Sequence, residues 1–218
     1  MEQKNTLVYK GLTIGWLNHH AAFLIIANDR NIFIDPWEIN EQKNADIILV
    51  THPHYDHFSP ADIRSIKTSS TSIIAPIECK GEVSGAFKRA QPGTKINEDG
   101  IIIEAVPAYN TNKFRAPGQP FHPREKQWNG YIIDIDGTLI YHGGDTDFIQ
   151  EMQQFPELDI ALVPCGGTYT MTSTEAAEAC NAIKPKIVVP MHWGKIVGSR
   201  KDADNFAQHF RGETRILE

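Results

Sequence analysis

The sequence predicts an α/β (α+β) protein built from two mixed β-sheets that face each other, with helices outside. Two observations support this fold class. The first half of the chain alternates short strands with one or two helices, and the second half repeats that order. Continuous apolar runs such as residues 47–50 are typical of buried central strands. With 218 residues, 41% of them hydrophobic, the chain can bury one sizeable core, and we expect residues 1–218 to form a single domain.

The individual elements are predicted from hydrophobic periodicity, turn residues and helix caps. We expect strands at residues 7–9, 12–17, 23–27, 31–34, 46–50, 72–75, 95–96, 101–106, 131–135, 138–141, 159–163, 186–191 and 214–217. We expect helices at residues 60–67, 76–87, 146–155 and 172–184, and a last helix that begins after Ser199. Residues 107–129 are predicted to be irregular, and long irregular segments are often functional.

Composition excludes several classes of protein. The formal net charge of -6 and a pI near 5.8 argue against a nucleic-acid-binding surface, which is usually basic. Three widely spaced cysteines, Cys79, Cys165 and Cys180, do not form a disulfide framework, and we expect buried free thiols. No apolar run approaches the length of a membrane span, so we expect a soluble cytoplasmic protein.

Residues 51–57, with the sequence THPHYDH, hold three histidines and an aspartate within six positions; we call them the histidine loop. The loop follows a buried apolar strand directly. Ser59 and Pro60 come next and predict an N-cap and the first residue of a helix. Imidazole nitrogen and carboxylate oxygen are ligands that zinc and related divalent ions prefer. The alternative, surface histidines clustered by chance, leaves this strand-loop-helix context unexplained.

The spacing within the loop indicates which side chains act together. His52 and His54 alternate by two, so an extended backbone points both to the same side, where they can share one ion. Asp56 and His57 follow where the chain turns, and they can face a second ion. Asp145 and His192 each follow a predicted strand, where side chains are presented at a sheet edge.

Five stretches together resemble the metallo-β-lactamase superfamily of metal-dependent hydrolases. They are the histidine loop and residues 18–25 (NHHAAFLI), 34–37 (IDPW), 143–147 (GGDTD) and 190–194 (PMHWG). The resemblance is to the branch that includes ascorbate-6-phosphate lactonase and the phospholipase D that cleaves N-acyl phosphatidylethanolamine, and it extends from about residue 12 to residue 194. It implies a four-layer αββα sandwich with the metal site at one edge between the sheets.

The resemblance also implies a ligand set. His52 and His54 would bind the first ion, and Asp145 would bridge both ions. The second ion would be bound by Asp56, His57 and His192. We expect one or two ions, with zinc as the expected metal and manganese, iron or nickel as alternatives.

One position departs from the family pattern. The family places a third histidine after the strand that here ends near Val106, and this chain has Asn110 there. A neutral amide oxygen is a poorer zinc ligand than imidazole, so Asn110 would bind the first ion weakly. His122, in the irregular segment, is a candidate for the missing ligand. It could equally contact substrate or lie on the surface.

Two further residues are candidates for positions just outside the ligand set. Asp35 precedes a proline and follows a buried strand, which suits a carboxylate that holds a ligand histidine, although a plain turn aspartate is the alternative. His20 could support a ligand or line the pocket, or it could be an ordinary buried histidine.

The expected chemistry is hydrolysis by a metal-bound hydroxide, with Asp56 as the catalytic residue that orients the hydroxide or accepts its proton. The chain has no Gly-x-Ser-x-Gly elbow and no nucleotide-binding glycine loop, which leaves this mechanism as the simplest. The substrate would be a small phosphodiester, lactone or other ester. Two alternatives are a degenerate metal-binding member with weak or no activity, because of Asn110, and a nuclease of the same fold, which the acidic charge disfavours.

Overall fold

The computed structural model describes residues 5–218, which form two compact units with one large sheet each. The first unit runs to Ala90 and includes Leu217 and Glu218, and the second unit is Gln91–Ile216. The predicted α+β class with two mixed sheets and helices is confirmed. The assignment of residues 1–218 to a single domain stays a prediction.

The sheet of the first unit has seven strands whose spatial order follows the chain. They are β1 (Thr6–Tyr9), β2 (Leu12–Trp16), β3 (Phe23–Ala27), β4 (Arg30–Ile34), β5 (Ala45–Leu49), β6 (Lys67–Ala75) and β7 (Ala86–Arg89). Strands β1 to β4 form an antiparallel meander, whereas β4 to β7 pair in parallel. The carboxyl ends of β4 and β5 therefore lie at the same edge of this sheet.

Helix α1 (Pro60–Ile66) packs on this sheet. The Ser59 side chain accepts a hydrogen bond from the Asp62 N–H and Pro60 is the first helical residue, which confirms the predicted start. Ile63 and Ile66 lie three positions apart and therefore share the face that is buried in the core. The strand residues of the same core include Phe33, Ile48 and Ile73. The helix is thus fixed at the end of the histidine loop.

The second unit contains nine strands and two α-helices. They are β8 (Lys95–Glu98), β9 (Ile101–Pro107), β10 (Phe114–Ala116), β11 (Gln119–Pro120), β12 (Asn129–Ile135), β13 (Thr138–His142), β14 (Ile160–Pro164), β15 (Ile187–Met191), β16 (Glu213–Thr214), α2 (Ser173–Ile183) and α3 (Arg200–His209). Seven strands form one sheet in the order β16-β15-β14-β13-β12-β9-β8, and β10 pairs with β11 in a separate small hairpin. Helices α2 and α3 pack against each other.

Strand directions in the second sheet bring several loops to one edge. Strands β13, β14 and β15 are parallel neighbours. Strand β9 is antiparallel to β12, which is antiparallel to β13, so β9 runs in the same direction as β13. The residues that follow β9, β13, β14 and β15 therefore emerge at the same edge of this sheet, which is where ligands bind in sheets of this kind.

Several of the predicted elements are wrong in extent or type, among them the strand predicted at residues 72–75, which begins at Lys67. Residues 146–155 do not form an α-helix: only Gln150–Gln154 is helical, as a 3-10 helix, because the Asp147 side chain instead binds backbone N–H groups of residues 111 and 112. Residues 76–87 form a 3-10 helix at Ile77–Glu82 and then β7, since Gly81 and Gly85 disfavour a longer helix. The segment 107–129 contains β10, β11 and a 3-10 helix, and the last strand ends at Thr214.

Two expectations drawn from composition can be compared with the structure. Cys79, Cys165 and Cys180 are buried free thiols, as expected. Burial raises the pKa of the Cys79 thiol to about 12. Within residues 5–218, no helix has the length and the apolar composition that a membrane span requires. The cytoplasmic location stays a prediction.

We expect Thr172→Ala to lower the free energy of unfolding by about 1 kcal/mol. The Thr172 hydroxyl accepts from the Glu175 N–H, and the Glu175 carboxylate accepts from the Thr172 N–H, which forms the capping box of α2. Urea denaturation measures the effect. Thr174→Ala is the matched control, because Thr174 is exposed in the first turn of the same helix. Equal stability of both variants would contradict the role of the cap.

Candidate metal centre

The histidine loop leaves the carboxyl end of β5 beside the end of β4, where Asp35 lies. The Asp35 side chain is fully buried. Its Oδ1 accepts the Thr51 backbone N–H at 2.7 Å, and its Oδ2 accepts the Thr51 hydroxyl at 2.7 Å. The same Oδ2 lies 2.7 Å from His57 Nδ1. One carboxylate therefore fixes both ends of the loop.

These contacts determine which ring nitrogens carry protons. A carboxylate can only accept, so His57 donates from Nδ1, and the neutral ring then has its lone pair on Nε2. The Thr51 hydroxyl gives its proton to Asp35, so His52 Nδ1, at 2.9 Å, donates to that hydroxyl. His52 therefore also carries its lone pair on Nε2. The network sets the same tautomer in both rings, as partners of metal-binding histidines usually do.

Two nitrogens meet beside the loop. His52 Nε2 lies 3.1 Å from His54 Nδ1, and the rings are nearly perpendicular. The two histidines reach the same side of the loop, as their alternation predicts. Because the His52 nitrogen carries a lone pair, a cation or proton must lie between these atoms to make the approach favourable.

Asp56 lies on the other side of the loop. Its Oδ2 is 3.0 Å from His20 Nε2 and 3.9 Å from His57 Nε2. His20, Asp56 and His57 each offer one ligand atom, and these atoms lie within 4.8 Å of one another. His20 is fully buried, its backbone N–H donates to Asn18 and its ring contacts Trp37 edge-on. The ring that holds Asp56 is therefore itself held firmly.

In the second unit, Asp145 lies between two imidazoles. Its Oδ1 is 3.1 Å from His192 Nε2, and its Oδ2 is 3.1 Å from His122 Nε2. All three side chains are buried. Asp145 follows β13 and His192 follows β15, two strands whose ends lie at the same edge of the sheet. Both residues are therefore brought together as their positions after strands predict.

Gly166 allows the backbone of His192 to pack closely against the loop after β14. His192 has a left-handed backbone conformation, with φ of +60°. A β-carbon on Gly166, in the loop after β14, would overlap the carbonyl oxygen of His192. Only glycine allows this close approach. The pair Gly166-Gly167 therefore lies directly beside His192.

The Asn110 side chain, which follows β9, is hydrogen-bonded on both sides of its amide. Its Nδ2 donates to Asp147 Oδ1 at 3.2 Å and to the Tyr169 carbonyl oxygen at 3.0 Å. Its Oδ1 accepts from the His122 backbone N–H and from His122 Nδ1, both at 2.8 Å. His122 is 2% exposed, which is not the surface position considered as one alternative.

Asp147 is a residue that sequence reasoning missed as part of the site. Besides Asn110, it accepts the backbone N–H groups of Thr111 and Asn112, at 2.6 and 3.0 Å. It is buried and shapes the segment that follows β9. The signal was present in the Gly-Gly-Asp-Thr-Asp stretch, where a second aspartate stands two positions after Asp145, but the helix predicted for residues 146–155 obscured it.

Lys113 fastens the same segment to helix α2. Its Nζ lies 2.8 Å from Glu175 Oε2. Burial alone would raise the pKa of the Glu175 carboxyl, but hydrogen bonds from Lys113, Thr172 and Asn112 outweigh it and lower that pKa to about 2. The contribution of this carboxylate to stability is therefore complete above about pH 4.5 and is lost as the pH falls through 2.

Comparison with known proteins identifies the family. Residues 13–192 match the family model described as the Beta-lactamase superfamily domain. The chain belongs to the metallo-β-lactamase superfamily. A UPF0173 metal-dependent hydrolase of Pyrococcus abyssi is 33% identical over an alignment of 220 residues, gaps included. The alignment covers 91% of this chain and 92% of the relative. Another, of Thermococcus kodakarensis, is 35% identical over 205 residues and 86% and 87% of the two chains.

A solved structure agrees with this assignment. A protein of Parabacteroides distasonis, described as a metal-dependent hydrolase, is 34% identical and superposes with a TM-score of 0.82 over 98% of both chains. This metallo-β-lactamase superfamily chain is a metal-dependent hydrolase, and the predicted family and fold are confirmed. The narrower branch that includes the lactonase and the phospholipase stays a prediction.

We expect Asp35→Asn to lower the free energy of unfolding of the metal-free protein by about 3 kcal/mol. The amide would leave one oxygen to accept the Thr51 N–H, while its NH₂ group would face two buried donors. Urea denaturation measures the loss. Asp46→Asn is the control, because half-buried Asp46 accepts the backbone N–H of Asn31 and lies outside the Asp35 network. A loss no larger than that of the control would show that the Asp35 network is not structural.

Proposed function

We propose that this chain hydrolyses an ester bond of a small molecule, either a phosphodiester, a lactone or another ester, at a centre of one or two zinc ions. Membership of a family of metal-dependent hydrolases supports the reaction class. The acidic net charge of -6 favours a small substrate over a nucleic acid.

The proposed ligands come from both units of the chain. The order of motifs along the family supports this assignment, and the geometry within each unit is compatible with it. In the first unit, the proposed ligands are His52, His54, Asp56 and His57. In the second unit, they are Asp145 and His192; the sequence also predicted Asn110 as a weak ligand. Asp35 and His20 would hold ligands from outside the set.

The chemistry of the donors fits such a group. The set combines imidazole nitrogens with carboxylate oxygens, the mixture that zinc accepts readily and that other first-row divalent ions also accept. Most of these side chains are buried, whereas His54 and Asp56 are half-buried. A divalent cation would balance the negative charge of the Asp56 and Asp145 carboxylates.

The observation that carries the proposal is the Asp35–Thr51 network. It accounts for protons on Nδ1 of both His52 and His57, and this leaves the lone pairs of both rings on Nε2. A histidine loop without a metal role would have no need for a buried carboxylate that sets the tautomers of two rings. We therefore regard the loop as preorganised for a cation.

A divalent ion in this centre would supply a Lewis acid that activates water and polarises the ester at neutral pH. Asp56 would orient the attacking water and accept its proton at a carboxylate oxygen. His20, which contacts Asp56 Oδ2 at 3.0 Å, would keep that carboxylate in place. Proton transfer of this kind contributes about 100- to 10,000-fold to a rate, so Asp56 should matter strongly.

We expect Asp56→Asn to reduce turnover by about two orders of magnitude or more, because the amide keeps the shape but cannot accept a proton. Initial rates on a phosphodiester, a lactone and a carboxylic ester measure the effect and identify the substrate class. Removal of metal with a chelator should abolish the activity, and added zinc should restore it. Asp62→Asn is the control, because Asp62 lies in helix α1 and contacts Ser59 and Glu38, outside the ligand set. Unchanged turnover in Asp56→Asn would exclude the proposed role.

A further inference from the structure

We propose that His122 supplies the third imidazole of the first ion, and that Asn110 is not a ligand but a positioning residue that fixes the His122 ring. This inference rests on the proposed function and refines its ligand set. It is argued from contacts within the second unit. The family pattern places a histidine after β9, and the contacts of Asn110 show how the ligand can move elsewhere in the chain without leaving the site.

The amide of Asn110 has a single orientation. Its NH₂ group faces two acceptors, the Asp147 carboxylate and the Tyr169 carbonyl. Both can only accept, so the nitrogen must be on that side and Oδ1 on the other. Oδ1 then accepts two hydrogen bonds from His122, through the backbone N–H and through Nδ1. Both lone pairs of this oxygen are used, which leaves none for an ion.

The same contacts fix the tautomer of His122. An amide oxygen only accepts, so Nδ1 of His122 carries the proton, and the neutral ring has its lone pair on Nε2. That Nε2 lies 3.1 Å from Asp145 Oδ2. A lone pair and a carboxylate oxygen repel at this distance unless a cation lies with them. The cation is either a second proton on the ring or a metal ion.

Asp145 favours the metal ion. Its second oxygen lies 3.1 Å from His192 Nε2, so each carboxylate oxygen faces an imidazole nitrogen. This is the arrangement expected of a bridging carboxylate, in which each oxygen shares a different ion with a different histidine. Because each carboxylate oxygen faces the imidazole of a different histidine, the geometry assigns His122 to one ion and His192 to the other.

The backbone explains how a ligand can shift by twelve positions. The Asn110 N–H donates to the His122 carbonyl at 2.8 Å, while the His122 N–H returns to the Asn110 side chain at 2.8 Å. The two residues therefore lie opposite each other at the base of the β10–β11 hairpin. Asp147 accepts the N–H groups of Thr111 and Asn112, which precede β10, and so fixes the start of this hairpin segment. A histidine at 122 thus occupies a place beside residue 110.

The experiment measures zinc affinity by chelator competition on the purified full chain, with no assay of activity. The variants are His122→Ala, Asn110→Leu and the double variant, and Asn112→Ala is the matched control. Asn112 lies in the same segment, is exposed and contacts Glu175 through its side chain rather than His122. Circular dichroism of the metal-free proteins verifies that each variant is folded.

We expect His122→Ala to weaken the binding of one ion by on the order of 100-fold or more, above the about 10- to 100-fold typical of a residue that orients a ligand. Asn110→Leu should weaken the same ion by about 10- to 100-fold. The loss should largely disappear in the His122→Ala background, because Asn110 acts through His122. Asn112→Ala should bind zinc like the parent.

The other outcomes overturn the inference. If Asn110→Leu costs as much in the double variant as alone, Asn110 acts independently of His122 and is itself the ligand. If the parent binds zinc and His122→Ala binds it equally well, His122 forms a salt bridge only, while the proposed function stands. If the parent binds no zinc, the proposed function fails as well. If Asn110→Leu does not fold, long-range ¹⁵N NMR of the parent is the deciding measurement. We expect zinc to shift the His122 Nε2 resonance while Nδ1 stays protonated. The absence of that shift would overturn the inference.

Discussion

The carboxylate of Asp35 is the group on which the histidine loop depends. A buried charge is costly unless several donors compensate it, and Asp35 obtains three short hydrogen bonds from Thr51 and His57. The parallel pairing of β4 with β5 makes this possible, because it brings the residue after one strand to the residues after the next. The network then decides which nitrogens of His52 and His57 carry lone pairs, so stability and ligand geometry have one cause.

The second unit repeats this principle with a different residue. There, Asp147 accepts donors from Asn110, Thr111 and Asn112, and it sets the course of the segment after β9. Asn110 in turn accepts from His122 Nδ1 and so orients that ring, as the Thr51 hydroxyl orients His52. In each unit, a buried aspartate at the carboxyl edge of the sheet orients an imidazole through a polar neighbour. Common strand direction places all these residues at the edge of their own sheet.

The parts of the fold that local pattern determines were predictable. The strand before the histidine loop, the capped start of α1 and the capping box of α2 each depend on residues within about ten positions. The helix expected at residues 146–155 failed because Asp147 binds backbone groups more than thirty positions away, which no local pattern shows. The place of His122 stayed open for the same reason, since it depends on the pairing of residues 110 and 122 across a hairpin.

Diffraction from crystals grown with zinc, with ions located by anomalous scattering at the zinc edge, tests the central claim most directly. We predict ions at about 2.0–2.2 Å from nitrogens of the histidine loop and from an oxygen of Asp145, with His192 bound to the ion that Asp56 and His57 share. If Asp145 or His192 lies more than about 8 Å from the histidine loop, beyond the reach of a shared ion, the proposed centre does not exist.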